Sequence, residues 1–213
     1  MPDEHHSGHP TPSELVDALL EGNRRFRRGI RRERDLAAEV AAHVGGQRPP
    51  IAIVGCIDSR AAPEIVFDLG IGETFDIRLA GAIVDDAAIG SLEYACGAAG
   101  AVLLVVLGHT NCGAVKAACD IAAGVEGAGE GLPHLGAVVD PIIEAVDAET
   151  ATAIDRNSSN HDFVDRVAEL NVRRTVAEIV GRSDLLRGLV DDGRLAILGA
   201  MYDVRSGVVR MID

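Results

Sequence analysis

Residues 101–107 read Ala-Val-Leu-Leu-Val-Val-Leu, an unbroken apolar run. A strand with one face in water alternates apolar and polar residues. A run like this one is therefore buried on both faces, as in a parallel sheet held between two layers of helix. The β-branched run Ile51–Cys56 and the segments Thr74–Leu79 and Leu195–Tyr202 read as further strands. Val208–Ile212, joined to the last of these through Ser206-Gly207, reads as its hairpin partner.

Helical patterns fill the intervals. Thr11-Pro12-Ser13-Glu14 is a capping box with proline at the first helical position, and the helix it opens carries Leu15, Ala18, Leu19, Gly22 and Phe26 on one stripe. Helices are also predicted over Ala61–Asp68, Ala87–Ala99, Cys112–Ala123 and Leu135–Val146, and a long one runs from its cap at Asn160 to Gly181. This order implies an α/β fold of three layers, α/β/α, with a mostly parallel central sheet of about four parallel strands and a C-terminal edge strand. A chain of 213 residues suits one such domain, placed at 13–213 after a polar tail, 1–12, that is expected to be disordered. The N-terminal helix has no obvious place in the cover of so small a sheet.

Thirty-three acidic residues against 20 basic ones leave a net charge of −13, which opposes phosphate-backbone binding and argues against a nucleic-acid partner. The local exception, Arg24, Arg25, Arg27, Arg28, Arg31, Arg32 and Arg34, has no interleaved aromatics and reads as a solvated or subunit-contacting face. The longest apolar stretch, Ala95–Gly108, is broken by Gly97 and Gly100 and is too short for a membrane span. Met1–Pro12 lacks the apolar centre of a signal peptide, so a cytoplasmic location with reduced thiols is expected. Cys96 and Cys119 lie in alanine-rich helical patterns and read as small buried hydrophobes. His5, His6 and His9 belong to the tail and are given no role.

Two segments carry chemistry. Cys56-Ile57-Asp58-Ser59-Arg60 ends the first strand, and His109-Thr110-Asn111-Cys112-Gly113 follows the third. Two thiolates and an imidazole suit zinc, with Cys56, His109 and Cys112 as ligands. Ends of parallel strands meet where the strand order reverses, the usual place of function in open α/β sheets. Along an extended chain Cys56, Asp58 and Arg60 share a side, while Ile57 and Ser59 point away. Structural zinc sites usually close with Cys-x-x-Cys pairs, which are absent here, and they need no carboxylate–arginine pair. A catalytic metal is preferred, with Asp58 able to take the fourth position and Arg60 able to draw it off. A zinc-bound hydroxide at that position is a nucleophile near neutral pH. A site with two thiolates is a weaker Lewis acid than one with three imidazoles, so activity is expected to climb above pH ~8.

At these residues the chain resembles the β-class carbonic anhydrases, in the plant-type branch common in bacteria. The likeness extends from Glu21-Gly22-Asn23-Arg24-Arg25-Phe26 through Pro63-Glu64, Phe67-Asp68, Gly72, Phe75 and Gly90-Ser91-Leu92-Glu93-Tyr94-Ala95 to the C-terminal hairpin. The resemblance implies one Zn²⁺ per chain on Cys56, His109 and Cys112. It implies Asp58 and Arg60 as a catalytic dyad gating the fourth zinc position. It also implies an N-terminal helix packing across a partner subunit, and a substrate pocket of Gln47, Phe75, Tyr94 and Gly113, partly supplied by a neighbouring subunit in a homodimer or a dimer of dimers. The reaction it implies is reversible hydration of carbon dioxide to bicarbonate and a proton. The chain departs from the family at Arg78-Leu79-Ala80-Gly81-Ala82, where the usual segment is Arg-Asn-Ala-Gly-Asn, and it has no tryptophan from which to build a Trp-dependent bicarbonate site. Alternatives are hydrolysis of COS or CS₂ on the same scaffold, or a non-catalytic zinc or bicarbonate-sensing protein.

Overall fold

A computed structural model describes residues 10–212. Residues 1–9 of the expected tail, with its three histidines, lie outside the described residues. Thr11 and Pro12, also assigned to that tail, instead start the first helix: Thr11 accepts from the Glu14 N–H, the Glu14 carboxylate takes the Thr11 N–H in return, and Pro12 is the first helical residue.

Five strands form one sheet in the order β2-β1-β3-β4-β5. They are β1 (Ile51–Gly55), β2 (Thr74–Arg78), β3 (Leu103–His109), β4 (Ala196–Tyr202) and β5 (Val209–Ile212). The first four run parallel, and β5 returns antiparallel against β4. Every residue of β1 and β3 is buried, as their unbroken apolar runs require. On one face lie α1 (Pro12–Arg28) and α3 (Pro63–Val66), packed against Ile51, Ile53, Leu103 and Val105. Onto the other pack α4 (Asp86–Glu93), α5 (Gly113–Ala122), α6 (Gly136–Ala148), α7 (His161–Arg182) and α8 (Asp184–Asp191), around Ala52, Val54, Leu104 and Val106. The three layers and the strand arrangement follow the sequence expectation.

The N-terminal helix does find a place in the cover of this sheet. Leu15 and Leu19, the stripe assigned to a partner, are buried against this chain's own sheet beside Val66 and Phe67. The fit is close: a Cβ on Gly22 would stand 1.8 Å from the Phe67 carbonyl oxygen. Buried Asn23 donates to the carbonyls of Val66 and Gly207 and accepts from the Val209 N–H. Without α1 and α3 that face of β1 and β3 would meet water, and the hydrophobic effect places the nearest apolar stripe there.

Five arginines of the arginine-rich segment, Arg24, Arg25, Arg31, Arg32 and Arg34, lie within ion-pair distance of a carboxylate. Arg25 donates to Asp68 at 2.6 Å, Arg31 lies 3.5 Å from the same carboxylate, and Arg34 binds Glu39 and Glu73. Asp68 is buried, and Arg25 foremost among its cation partners, together with the Arg32 N–H, holds it below the usual carboxylate range against the opposing effect of burial.

The predicted helix over Ala61–Asp68 is two short pieces, a 3₁₀ turn at Ser59–Ala61 and α3, because Ala62 is extended ahead of Pro63. The helix α4 continues through a π-helical turn, Tyr94–Ala98, rather than ending as regular α-helix. Residues 36–42 and 184–191, given no element from sequence, are helices: α2 (Leu36–Ala42) is capped by Asp35 and α8 by Ser183.

Candidate metal centre

Cys56 directly follows β1, and His109 closes β3, its parallel neighbour. Strand order reverses between these two strands, since β1 is followed by β2 on one side and β3 lies on the other. Three residues on, Cys112 caps the N-terminus of α5, where free N–H groups and the helix dipole favour a thiolate. The donor atoms of Cys56, His109 and Cys112 lie within 4.8 Å of one another, and all three residues are buried.

The chemistry of this donor set fits a dication. The two sulfurs are 3.9 Å apart. The hydrogen bond with Cys112 pulls the Cys56 thiol down, and the same bond, with burial, pushes Cys112 upward. A divalent cation between them stabilises both thiolates. The Nδ1 of His109 sits 3.0 Å from the Thr110 carbonyl. A carbonyl only accepts, so the ring proton is on Nδ1 and the Nε2 lone pair is free. Buried Nε2 has no hydrogen-bond partner among the described residues. Two thiolates and one unpartnered imidazole nitrogen are ligands suited to zinc.

Asp58 and Arg60 stand beside this cluster. Arg60 donates from Nε to Asp58 Oδ1 at 3.0 Å and from Nη2 to Oδ2 at 2.6 Å, and its backbone N–H reaches Oδ1 at 2.9 Å. The Arg60 side chain, foremost, holds the Asp58 carboxyl at about 2. Asp58 Oδ2 is 3.9 Å from His109 Nε2. The pair meets for a reason other than strand alternation, because β1 stops at Gly55. Asp58 instead caps the 3₁₀ turn at Ser59–Ala61, which folds Arg60 back onto it. Ile57 does point outward, 62% exposed.

Gln47, Phe75 and Tyr94 come together around one cavity of about 580 Å³, with Asp76, Ser91 and Ala95. Burial and then Glu64 push the Asp76 carboxyl up to about 7. None of the metal cluster lines this cavity. Phe75 opposes Ala52 in the sheet, four positions before Cys56, or about 13 Å at the rise of a strand. The trio is therefore assembled, but apart from this chain's own cysteines. Gly113, the first residue of α5, stands next to Cys112 and is exposed.

Several residues that support the site escaped the sequence reading. Arg78 donates to the carbonyls of Cys56 and Asp58, both at 2.8 Å, and so clamps the chain on either side of Ile57. Asp165 of α7 accepts the Asn111 N–H at 2.8 Å and secures the turn between His109 and Cys112, where Asn111 is left-handed with φ 56°. The Gly81 N–H donates to Cys56 Sγ at 3.3 Å, and Asn171, also from α7, donates to the Gly81 carbonyl at 2.8 Å. Gly81 lies in the segment that departs from the resembled family. It has φ 78°, and Ala82 beside it has φ 55°. The left-handed region favours glycine and asparagine and costs other residues about 1 kcal/mol. Ala82 occupies it without a polar side chain to bond the local backbone.

Residues 51–209 match the family model described as carbonic anhydrase. Carbonic anhydrase 2 of Mycobacterium tuberculosis (strain H37Rv) is 39% identical over 191 residues, covering 89% of this chain and 87% of that protein. Among solved structures, a β-carbonic anhydrase of Aspergillus fumigatus superposes with a TM-score of 0.67 at 25% identity, covering 94% of this chain and 89% of that one. One of two β-carbonic anhydrases of Sordaria macrospora, described as tetrameric, superposes with a TM-score of 0.64 at 22% identity over 94% of each chain.

Proposed function

Because the chain belongs to the β-class carbonic anhydrases, we propose that it hydrates carbon dioxide to bicarbonate and a proton, using one zinc ion held by Cys56, His109 and Cys112. The observation that carries this reading is the buried cluster of two sulfurs and a free imidazole Nε2 with an arginine-bound carboxylate beside it. Zinc, when bound there, acts as a Lewis acid that makes water a nucleophile near neutral pH.

The chain's own groups do the rest. His109 presents Nε2 because Nδ1 is engaged by the Thr110 carbonyl. The α5 N-terminus and the Gly81 N–H stabilise negative charge on Cys112 and Cys56. Asp58 and Arg60 would gate the fourth position of a bound metal: Arg60 grips the carboxylate at two points, which would keep Asp58 from ligating the ion. Carbon dioxide is small and uncharged, so its pocket needs an apolar wall and few donors. Phe75 and Tyr94 provide the wall, and Gln47 and the backbone at Gly113 provide donors to bicarbonate. The single domain assigned to 13–213 is here extended to take in Thr11 and Pro12, the cap and first residue of α1. The four free, buried cysteines suit a reducing compartment such as the cytoplasm, and no helix among the described residues is long and apolar enough to cross a membrane.

A stopped-flow assay of CO₂ hydration, run beside COS hydrolysis on zinc-quantified protein, tests the function. Hydration should far exceed COS hydrolysis; the reverse ranking would assign the scaffold to the hydrolase, and no turnover of either would favour a sensing role.

The functional unit in this reading is a homodimer or a dimer of dimers. Gln47, Phe75 and Tyr94 form a cavity that this chain's own metal cluster does not reach, and Tyr94 is 65% exposed, so the trio completes a site on a partner. The described tetrameric state of the Sordaria macrospora proteins is in keeping with this. Sedimentation at assay concentration should find a dimer or larger species, and an active monomer would overturn the assignment.

A further inference from the structure

Asn171 sits on the sheet-facing side of α7, 1% exposed, within the apolar layer that includes Val167, Ala168 and Val172. Burying an amide among apolar side chains costs free energy unless its hydrogen bonds are replaced. Here the return is partial. Nδ2 donates to the Gly81 carbonyl at 2.8 Å, while Oδ1 has no partner among the described residues. A leucine would fill similar space without leaving a polar atom unmatched. The one bond Asn171 makes acts on the metal centre: the residue whose carbonyl it holds is the residue whose N–H donates to Cys56 Sγ.

Gly81 needs to be held. It is left-handed, with φ 78°, between Ala80 and the left-handed Ala82, and a Cβ there would lie 2.5 Å from Ile142 Cδ1. Its N–H lies on the Ala80–Gly81 peptide and its carbonyl on the Gly81–Ala82 peptide, so the held carbonyl orients the N–H through the dihedral angles of Gly81. The same helix holds the other half of the centre through Asp165 and the Asn111 N–H. Thus α7 supports the loops beside both thiolates while contacting neither sulfur directly through these two side chains.

We infer that Asn171 is a positioning residue for the metal centre: through Gly81 it keeps an N–H on Cys56 Sγ and so sets how strongly that thiolate donates to the metal. This rests on the reading that Cys56, His109 and Cys112 hold the ion. Hydrogen bonds to a ligand sulfur withdraw electron density from it, and outer partners of this kind commonly change affinity or activity by about 10–100-fold. Without the Gly81 N–H the sulfur donates more strongly and the metal becomes a weaker Lewis acid.

Cobalt(II) substitution reads this directly, because thiolate-to-cobalt charge transfer reports the donor strength of the sulfur. Asn171→Leu and the smaller Asn171→Ala should each bind one cobalt per chain, with the charge-transfer band moved to longer wavelength. The pH profile of hydration in their zinc forms should move to higher pH. Thr175→Val, one turn along α7 and equally buried, should leave both readouts at the parent's values whatever it does to stability. Failure of the parent to show a thiolate–cobalt band would reject the metal reading itself. A normal parent band that Asn171→Leu and Asn171→Ala leave in place, or that Thr175→Val moves as far, would overturn the role of Asn171 alone.

Discussion

Arg60→Ala is expected to keep its zinc and to lose about 10–100-fold of its CO₂ hydration rate, the range seen when a group that orients a metal-site residue is removed. The three ligand side chains do not depend on Arg60, which bonds Asp58 and, at 3.4 Å, the Asn111 carbonyl. Asp58 depends on it entirely for side-chain partners. Freed from the guanidinium, a carboxylate whose Oδ2 is already 3.9 Å from His109 Nε2 has a dication as its nearest opposite charge. It should then occupy the position that the substrate water needs. Arg60→Lys should recover little, since an ammonium cannot make the two-pronged contact.

The sign of the pH effect follows from the same pair. Asp58 is held at about 2, mainly by Arg60. A depressed carboxylate stays charged at every pH above its own value, so its charge is constant from pH 6 to 9. The rise in hydration expected above pH ~8 in the parent therefore belongs to ionisation of water at a thiolate-rich metal, not to Asp58. An Arg60→Ala enzyme as fast as the parent would reject the gate, and full parent activity at pH 6.5 would reject the assignment of the rise to the water.

Cys56→Ala, His109→Ala and Cys112→Ala should each lose the metal, and with it activity, whereas Cys96→Ser and Cys119→Ser should keep both. Cys56, His109 and Cys112 present their donor atoms within 4.8 Å of one another. Cys96 and Cys119 are buried alone, and burial foremost pushes each thiol up to about 12, leaving it protonated and without a metal to ligate. Elemental analysis of the purified variants reads the result directly. Loss of zinc from Cys96→Ser or Cys119→Ser, in a protein that remains folded by circular dichroism, would mean that the ligand thiols are wrongly assigned.

The sequence was sufficient wherever the relevant physics is local. Ala101–Leu107 has no polar residue with which to face water, so its burial between two helical layers follows from composition of the run alone, and β3 lies where it predicts. Cys56 and His109 were recognisable because each ends such a run, and chain direction in a parallel sheet brings those ends to one edge. The Asp58–Arg60 contact was also legible, being two residues long, although a turn cap and not strand alternation creates it.

Only the tertiary structure decided the rest. The apolar stripe of α1 has the same pattern whether it covers its own sheet or a partner's, and only the packed chain shows Leu15 and Leu19 lying over β1 and β3. Hydrophobic burial is non-directional, so periodicity identifies an apolar face without naming what it meets. Gln47, Phe75 and Tyr94 gather in one cavity away from the cysteines, a separation set by strand register. Arg78, Asp165 and Asn171 act through hydrogen bonds that join distant parts of the chain. A hydrogen bond has a geometry of a few tenths of an ångström, and no one-dimensional pattern records it. The grouping of Cys56, His109 and Cys112 is thus written in the sequence, while the groups that orient them exist as a set only once the helices have packed.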